Sequence, residues 1–262
     1  MCSSDLGSDA VRGGHDAGLL SLCSSPPGSR RGHHSRAPRH VLAPWHDGAV
    51  PADDPRRPGR RLLLAGTGRE STRQTILASR RAAEAGADAV LVRAPFFFRG
   101  QMTADALTTF FTAVADASPV PVVLYNMPGV TGFALTPPIV RTLAAHPNVI
   151  GLKETSVELE RLGQFVAQAP GGFTVLCGQA PVIFPALMSG AGGGILAAAC
   201  VVPEVCTAIH RAVREGRHAD ALRLQQALTP LGQLVTSGHG VPGLKAAMDL
   251  AGYRGGAPRG PL

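Results

Sequence analysis

Lysine is nearly missing from this chain. Only Lys153 and Lys245 occur, against 23 arginines, so almost every cation is a guanidinium that stays protonated. Aromatics are sparse as well, at 5 % of 262 residues, with one tryptophan and two tyrosines. No apolar run approaches the roughly 18 to 20 residues of a membrane span, which points to a soluble protein. The five cysteines, Cys2, Cys23, Cys177, Cys200 and Cys206, form no CxxC pair and have no histidine at zinc-ligand spacing, so reduced core thiols are expected. Phosphate-binding glycine motifs are absent too. Leu64-Ala65-Gly66-Thr67-Gly68 runs into Arg69-Glu70-Ser71, which misses both GxGxxG and GxxxxGK[ST] and removes the main support for a nucleotide fold. The formal charge of +7 comes from arginines scattered along the chain rather than gathered with aromatics, which argues against specific nucleic-acid binding.

The chain falls into two parts of unlike character. From Met1 to about Arg60, neither a 3.6-residue nor a 2-residue period is present, and Gly, Pro, Ser, Arg and His dominate. Such a segment cannot readily build a core. Its histidines His33, His34, His40 and His46 lack Cys or carboxylate partners at ligand spacing, so no metal site is expected there. It also lacks the apolar stretch of a signal peptide, and its aspartates weaken an organelle-targeting reading, leaving the cytoplasm as the expected location.

After Arg60, short apolar runs alternate with helical patterns every 25 to 30 residues or so, the mark of repeated βα units. Six strands are expected, at Leu62 to Gly66, Asp88 to Arg93, Val120 to Tyr125, Val149 to Lys153, Phe173 to Cys177 and Gly194 to Ala199. Helices are expected between them, at Thr72 to Ala85, Thr103 to Ala117, Thr136 to Ala145, Val157 to Gln168 and Pro181 to Ser189. Three more follow near Glu204 to Glu215, His218 to Val235 and Gly243 to Ala251, a C-terminal helical region over 203–262. The runs VPVVLY and NVIGLK are apolar without alternation, as parallel strands covered on both faces are. A barrel or a doubly wound sheet would satisfy that pattern. The polar candidates fall at the C-terminal ends of different strands, which favours the (β/α) barrel, class α/β.

Within that frame, a lysine closing an apolar strand stands out. Lys153 ends Val149-Ile150-Gly151-Leu152-Lys153, where desolvation favours the neutral, nucleophilic amine. Arginine could form no imine there. Position alone leaves open a strand-end lysine merely paired with Glu154 or another carboxylate. Tyr125 ends the preceding strand, within reach of Lys153 if the strands are neighbours, and its phenol could shuttle protons. Spacing alone equally allows a strand-end tyrosine bonded to backbone. The run Ser189-Gly190-Ala191-Gly192-Gly193-Gly194 precedes a strand and is expected to be a helix-to-strand turn rather than a phosphate cradle. Cys177, Cys200 and Cys206 lack a histidine at a telling position, which disfavours a thiol nucleophile.

Taken together, the residues resemble the dihydrodipicolinate synthase and N-acetylneuraminate lyase family of class I aldolases. The resemblance covers roughly Leu62 to Leu262 and rests on AGTGRESTRQTI from Ala65, AAEAGADAVLVRAPFF from Ala82, YNMPGVTG from Tyr125, GLKET from Gly151 and GVPGLKAAMDLAGY from Gly240. YNxP one strand before GxKE is the specific pairing. The family implies a (β/α)8 TIM barrel, an imine between Lys153 and pyruvate or another 2-oxo acid, Tyr125 as proton relay, and Ile195 and Thr155 at the substrate. It implies no metal or other cofactor, small 2-oxo acid and aldehyde substrates, and a homo-oligomer, dimer or tetramer.

Departures from the family bear on substrate and completeness. Dihydrodipicolinate synthases resemble YNxPxRTG, whose arginine grips a carboxylate, and here that position is Val130. Their intersubunit loop tyrosine is replaced within Pro95-Phe96-Phe97-Phe98-Arg99-Gly100. Both changes favour the 4-hydroxy-2-oxoglutarate aldolase branch, with dihydrodipicolinate synthase as the alternative and a catalytically dead barrel kept for binding or assembly as the rival of another class. The six units match the family's third to eighth, so the barrel is expected to be incomplete, and the carboxylate-binding Gly-Thr-Thr-Gly-Glu-like motif of the second unit has no counterpart before Arg60. The composition of Met1 to Arg60 resembles GC-rich DNA translated out of frame, which predicts a non-native segment and, with two sheet edges exposed, poor folding.

Overall fold

The computed structural model describes residues 62–262 and a two-residue strand, Leu19–Leu20. The expectations for the rest of Met1 to Arg60, including its histidines, Cys2 and Cys23, lie outside the described residues. Six parallel strands follow in chain order, β1 (Leu64–Gly66), β2 (Ala89–Arg93), β3 (Val122–Asn126), β4 (Val149–Glu154), β5 (Thr174–Cys177) and β6 (Gly193–Gly194). Each pairs with the next in parallel, and Leu19–Leu20 lies antiparallel beside β1.

Strand order separates the two architectures the sequence allowed. A doubly wound sheet reverses direction at a switch point, whereas a barrel adds each strand on the same side of the last. The order here is strictly sequential. The six strands and their helices form part of a barrel.

The helices connect the strands: α1 (Thr72–Glu84), α2 (Ala104–Ala117), α3 (Pro137–Ala144), α4 (Leu159–Gln168) and α5 (Ile183–Met188). Ser71 and Thr103 cap α1 and α2 by accepting from Gln74 N and Ala106 N, and Pro137 occupies the first turn of α3. In α2, Leu107, Phe110, Phe111 and Val114 recur at helical spacing and are buried against Val90, Val92, Val122 and Leu124 of the sheet. The opposite sheet face gathers a second cluster, Leu64, Ala89, Leu91, Val123, Tyr125, Met127, Leu176 and Ile195. This second face is the inner one, because alternate residues of each strand point to opposite sides.

The last strand departs from expectation. Only Gly193–Gly194 are strand, Ile195 continues with one bond from its N–H to Cys177 O at 2.8 Å, and Ala197–Cys200 coil into a 3₁₀ turn. Among the described residues β6 is a sheet edge, so nothing pairs with its far side to keep the alanine run extended. The glycine-rich segment before it is the expected turn, with Gly192 N donating to Val175 O at 2.9 Å.

Beyond the sheet come α6 (Pro203–Arg214), α7 (His218–Gln233) and α8 (Gly240–Leu250), with Cys206, Ile209, Leu228 and Leu244 joining the outer-face core. A five-residue π turn, Leu234–Gly238, ends α7 shortly after Pro230, which has no N–H to donate to the helix ladder. Buried Gln225 of α7 accepts from Phe184 N and donates to Ala180 O, fastening the helix to the loop after β5. None of the described helices is long and apolar enough to cross a membrane.

Candidate functional site

Parallel register places the two leading candidates side by side. Tyr125 of β3 pairs with Lys153 of β4, and Asn126 pairs with Glu154 one residue further on. The pleat therefore turns Tyr125 and Lys153 to the inner face and Asn126 and Glu154 to the helix side. Lys153 is 6 % exposed and Tyr125 1 %. Lys153 Nζ stands 4.2 Å from the centre of the Tyr125 ring and makes no hydrogen bond or ion pair among the described residues. The other lysine, Lys245 of α8, donates to Gly255 O at 2.9 Å and ties down the C-terminal segment.

The Lys153–Glu154 ion pair that position left open does not form. Glu154 Oε2 accepts from Asn126 Nδ2 at 2.6 Å and Oε1 from Ser156 N at 2.7 Å, while Asn126 Oδ1 accepts from Leu135 N at 2.8 Å. This network is fully buried at Glu154 and locks the ends of β3 and β4 beside the lysine. Glu154→Ala strands the buried Asn126 amide and frees Ser156 N. We expect it to cost about 2–4 kcal/mol, read as a melting point lower by roughly 5–15 °C; an unchanged melting point would refute the fastening.

Thr155 follows directly. Its N–H donates to Asn126 O at 3.0 Å and its carbonyl accepts from Gln179 Nε2 at 2.9 Å. Its Oγ1 is buried without a hydrogen-bond partner among the described residues. The loop after β5 closes over this point through Gly178. A Cβ there would stand 2.6 Å from Thr155 Oγ1, 2.9 Å from Glu154 O and 3.0 Å from Lys153 Cε, so only glycine lets the loop approach the lysine stem so closely. Ile195, 2 % exposed, joins Tyr125 and Leu176 in the inner cluster. The structure thus gathers Lys153, Tyr125, Thr155 and Ile195 at one end of the sheet.

On the other flank of Tyr125 the register brings Arg93 of β2 into the same row. Its Nη1 donates to Glu70 Oε1 at 2.8 Å and to Ala94 O at 3.1 Å, and its guanidinium lies 4.6 Å from the centre of the Phe96 ring. Glu70 Oε2 accepts from Phe96 N at 2.8 Å and Phe97 N at 2.9 Å. Burial alone would raise the Glu70 carboxyl, but the amides of Phe97 and Phe96 and the Arg93 guanidinium outweigh it and hold the group below its ordinary value.

Arg93, Gly178 and the Asn126–Glu154 pair were not legible as site residues. Arg93 carried a signal, since it continues the two-residue period of Ala89 and Leu91. Gly178 carried none, because its role is a contact between strands.

The thiols of Cys177 and Cys206 are spectators. Burial pushes Cys177 up to about 11 and Cys206 up to about 12. At pH 8 both stay protonated, so iodoacetamide should leave them unmodified in the native protein and modify both after unfolding. Rapid native labelling of Cys177 would contradict that.

Comparison with known proteins bears on the family and the fold. Residues 58–262 match the model of the Dihydrodipicolinate synthetase family. The chain is 39 % identical over 205 residues to a 4-hydroxy-tetrahydrodipicolinate synthase of an Exiguobacterium species, covering 78 % of this chain and 69 % of that one. It is 36 % identical over 200 residues to a probable mitochondrial 4-hydroxy-2-oxoglutarate aldolase of Emericella nidulans, covering 76 % and 64 %. A solved structure of YagE, a prophage protein of the dihydrodipicolinic acid synthase family from E. coli K12 in complex with pyruvate, is similar with a TM-score of 0.70 at 32 % identity, over 78 % of this chain and 70 % of that one. A family model spanning all six parallel strands, with relatives named both as synthase and as aldolase, leaves one assignment: the chain belongs to the dihydrodipicolinate synthetase family, whose members are class I Schiff-base lyases.

Proposed function

We propose that Lys153 forms a Schiff base with pyruvate or a related 2-oxo acid and that the chain catalyses reversible aldol cleavage of the 4-hydroxy-2-oxoglutarate aldolase kind. The observation that carries this reading is the buried Lys153 amine, free of any carboxylate partner among the described residues and 4.2 Å from the Tyr125 ring centre. The amine adds to the C2 carbonyl of the 2-oxo acid, and loss of water leaves the protonated imine. That imine accepts the electron pair released as the C3–C4 bond breaks, while the C4 hydroxyl loses its proton and leaves as an aldehyde. Tyr125 relays this proton and the one lost from the carbinolamine. Protonation of the enamine at C3 and hydrolysis return pyruvate and the free amine. Thr155 Oγ1 offers a hydrogen bond to substrate, and Ile195 offers apolar contact.

Val130 supports cleavage over dihydrodipicolinate synthesis, since its 39 % exposed isopropyl group stands where the synthase branch has the arginine that grips aspartate semialdehyde and can form no such bidentate pair. Phe97 and Phe98, 75 % and 70 % exposed and edge to face, support a homo-oligomer that covers them. Two further βα units completing an eight-stranded barrel belong to the same reading.

Borohydride reduction in the presence of pyruvate, followed by peptide mass spectrometry, tests the proposal. The Lys153 peptide should gain the reduced adduct. A folded sample that takes up no label would instead support a dead barrel kept for assembly.

A further inference from the structure

Arg93, Tyr125 and Lys153 occupy one lateral row of three neighbouring strands. Neighbouring strands lie about 4.8 Å apart, so Arg93 and Lys153 flank Tyr125 at about that distance on either side. Lys153 Nζ lies over the Tyr125 ring, 4.2 Å from its centre. A substrate held on Nζ and extended across the tyrosine runs towards the strand end that carries Arg93.

Arg93 also has donors to spare. Both of its hydrogen bonds, to Glu70 and to Ala94 O, leave from Nη1, and Nε and Nη2 have no partner among the described residues. Its side chain is 21 % exposed and that of Glu70 43 %, a pair open enough for another anion to compete with. Arg69 adds positive charge at the same corner: burial and the nearby Arg93 both lower its pKa. Positive charge lacking at Val130 is thus present in the strand row beside the tyrosine.

Resting on the Schiff-base reading above, we propose that Arg93 is a specificity-determining residue that binds the distal carboxylate of a dicarboxylic 4-hydroxy-2-oxo acid held on Lys153. Two parallel N–H donors of the guanidinium suit a carboxylate, and the Phe96 ring holds the planar group in place. A substrate of the same length with a methyl group in place of that carboxylate loses the contact. Selectivity for the dicarboxylate is the consequence.

The test compares kcat/KM for cleavage of 4-hydroxy-2-oxoglutarate with that of 4-hydroxy-2-oxopentanoate, its monocarboxylic counterpart. In Arg93→Gln the ratio should fall about 10- to 100-fold, the worth of a charge-assisted pair. Arg93→Lys, which keeps the charge without the fork, should retain an intermediate ratio. Glu70→Gln removes the competing carboxylate and should raise the ratio. Pyruvate trapping on Lys153 in the same samples separates the two readings. Wild-type protein that traps no pyruvate overturns the Schiff base itself, whereas trapping with an unmoved ratio overturns the role of Arg93 alone. An equal loss on both substrates in Arg93→Gln and Glu70→Gln would mark the pair as a loop fastening and overturn the inference too.

Discussion

Lys153→Arg is expected to abolish borohydride trapping of pyruvate and to lower aldol cleavage by on the order of 10⁴-fold or more. The substitution keeps the positive charge and much of the stem beside Gly178, so folding should change little while the imine becomes impossible. A variant that melts like the parent and traps nothing separates chemistry from stability. Residual trapping in Lys153→Arg would move the Schiff base elsewhere. Lys245 could not supply it readily, being bound to Gly255 O in the C-terminal region.

Tyr125→Phe should give the next largest loss, about 10²- to 10⁴-fold in kcat, the usual worth of a positioned acid–base group. Phenylalanine keeps the ring against which Lys153 Nζ rests and keeps the packing with Leu91, Val123 and Ile195. The fold and the site's shape are thereby spared. Trapping should become slow rather than disappear, because the amine remains and only its proton partner is gone. If turnover in Tyr125→Phe matched the parent, the phenol would be a packing residue and the relay would lie elsewhere.

These two variants rest on residues that could be singled out before any fold was known. Lys153 was conspicuous because lysine is scarce and the strand around it is apolar, and Tyr125 because it closes the neighbouring apolar run. Strands β2 to β5 were legible within a residue or two for the same reason: buried parallel strands are continuous runs of Val, Leu and Ile between Pro, Gly or polar residues. The sixth was not. Gly194 to Ala199 looks like such a run, but a strand also needs a partner's backbone on its flank, and Ile195 has only Cys177 to bond.

The site was legible in part. Thr155 and Ile195 could be named through family resemblance, but what surrounds them arises from contacts distant in sequence. Arg93 meets Glu70 and Phe96 over the inner face, Gly178 makes room for the Lys153 stem, and Gln225 of α7 fastens the loop that carries Gly178.

The sequence by itself determined the unit of construction, the apolar strands and their helices, and which side chain could act as an imine-forming nucleophile. Those are local properties, set by periodicity and by the chemistry of single residues. Tertiary structure alone decided that the strands follow one another in sequential order as in a barrel, that Lys153 faces Tyr125 rather than Glu154, and that Arg93 stands in their row. Register and pleat fix these relations, and both arise only when separate strands hydrogen-bond to one another.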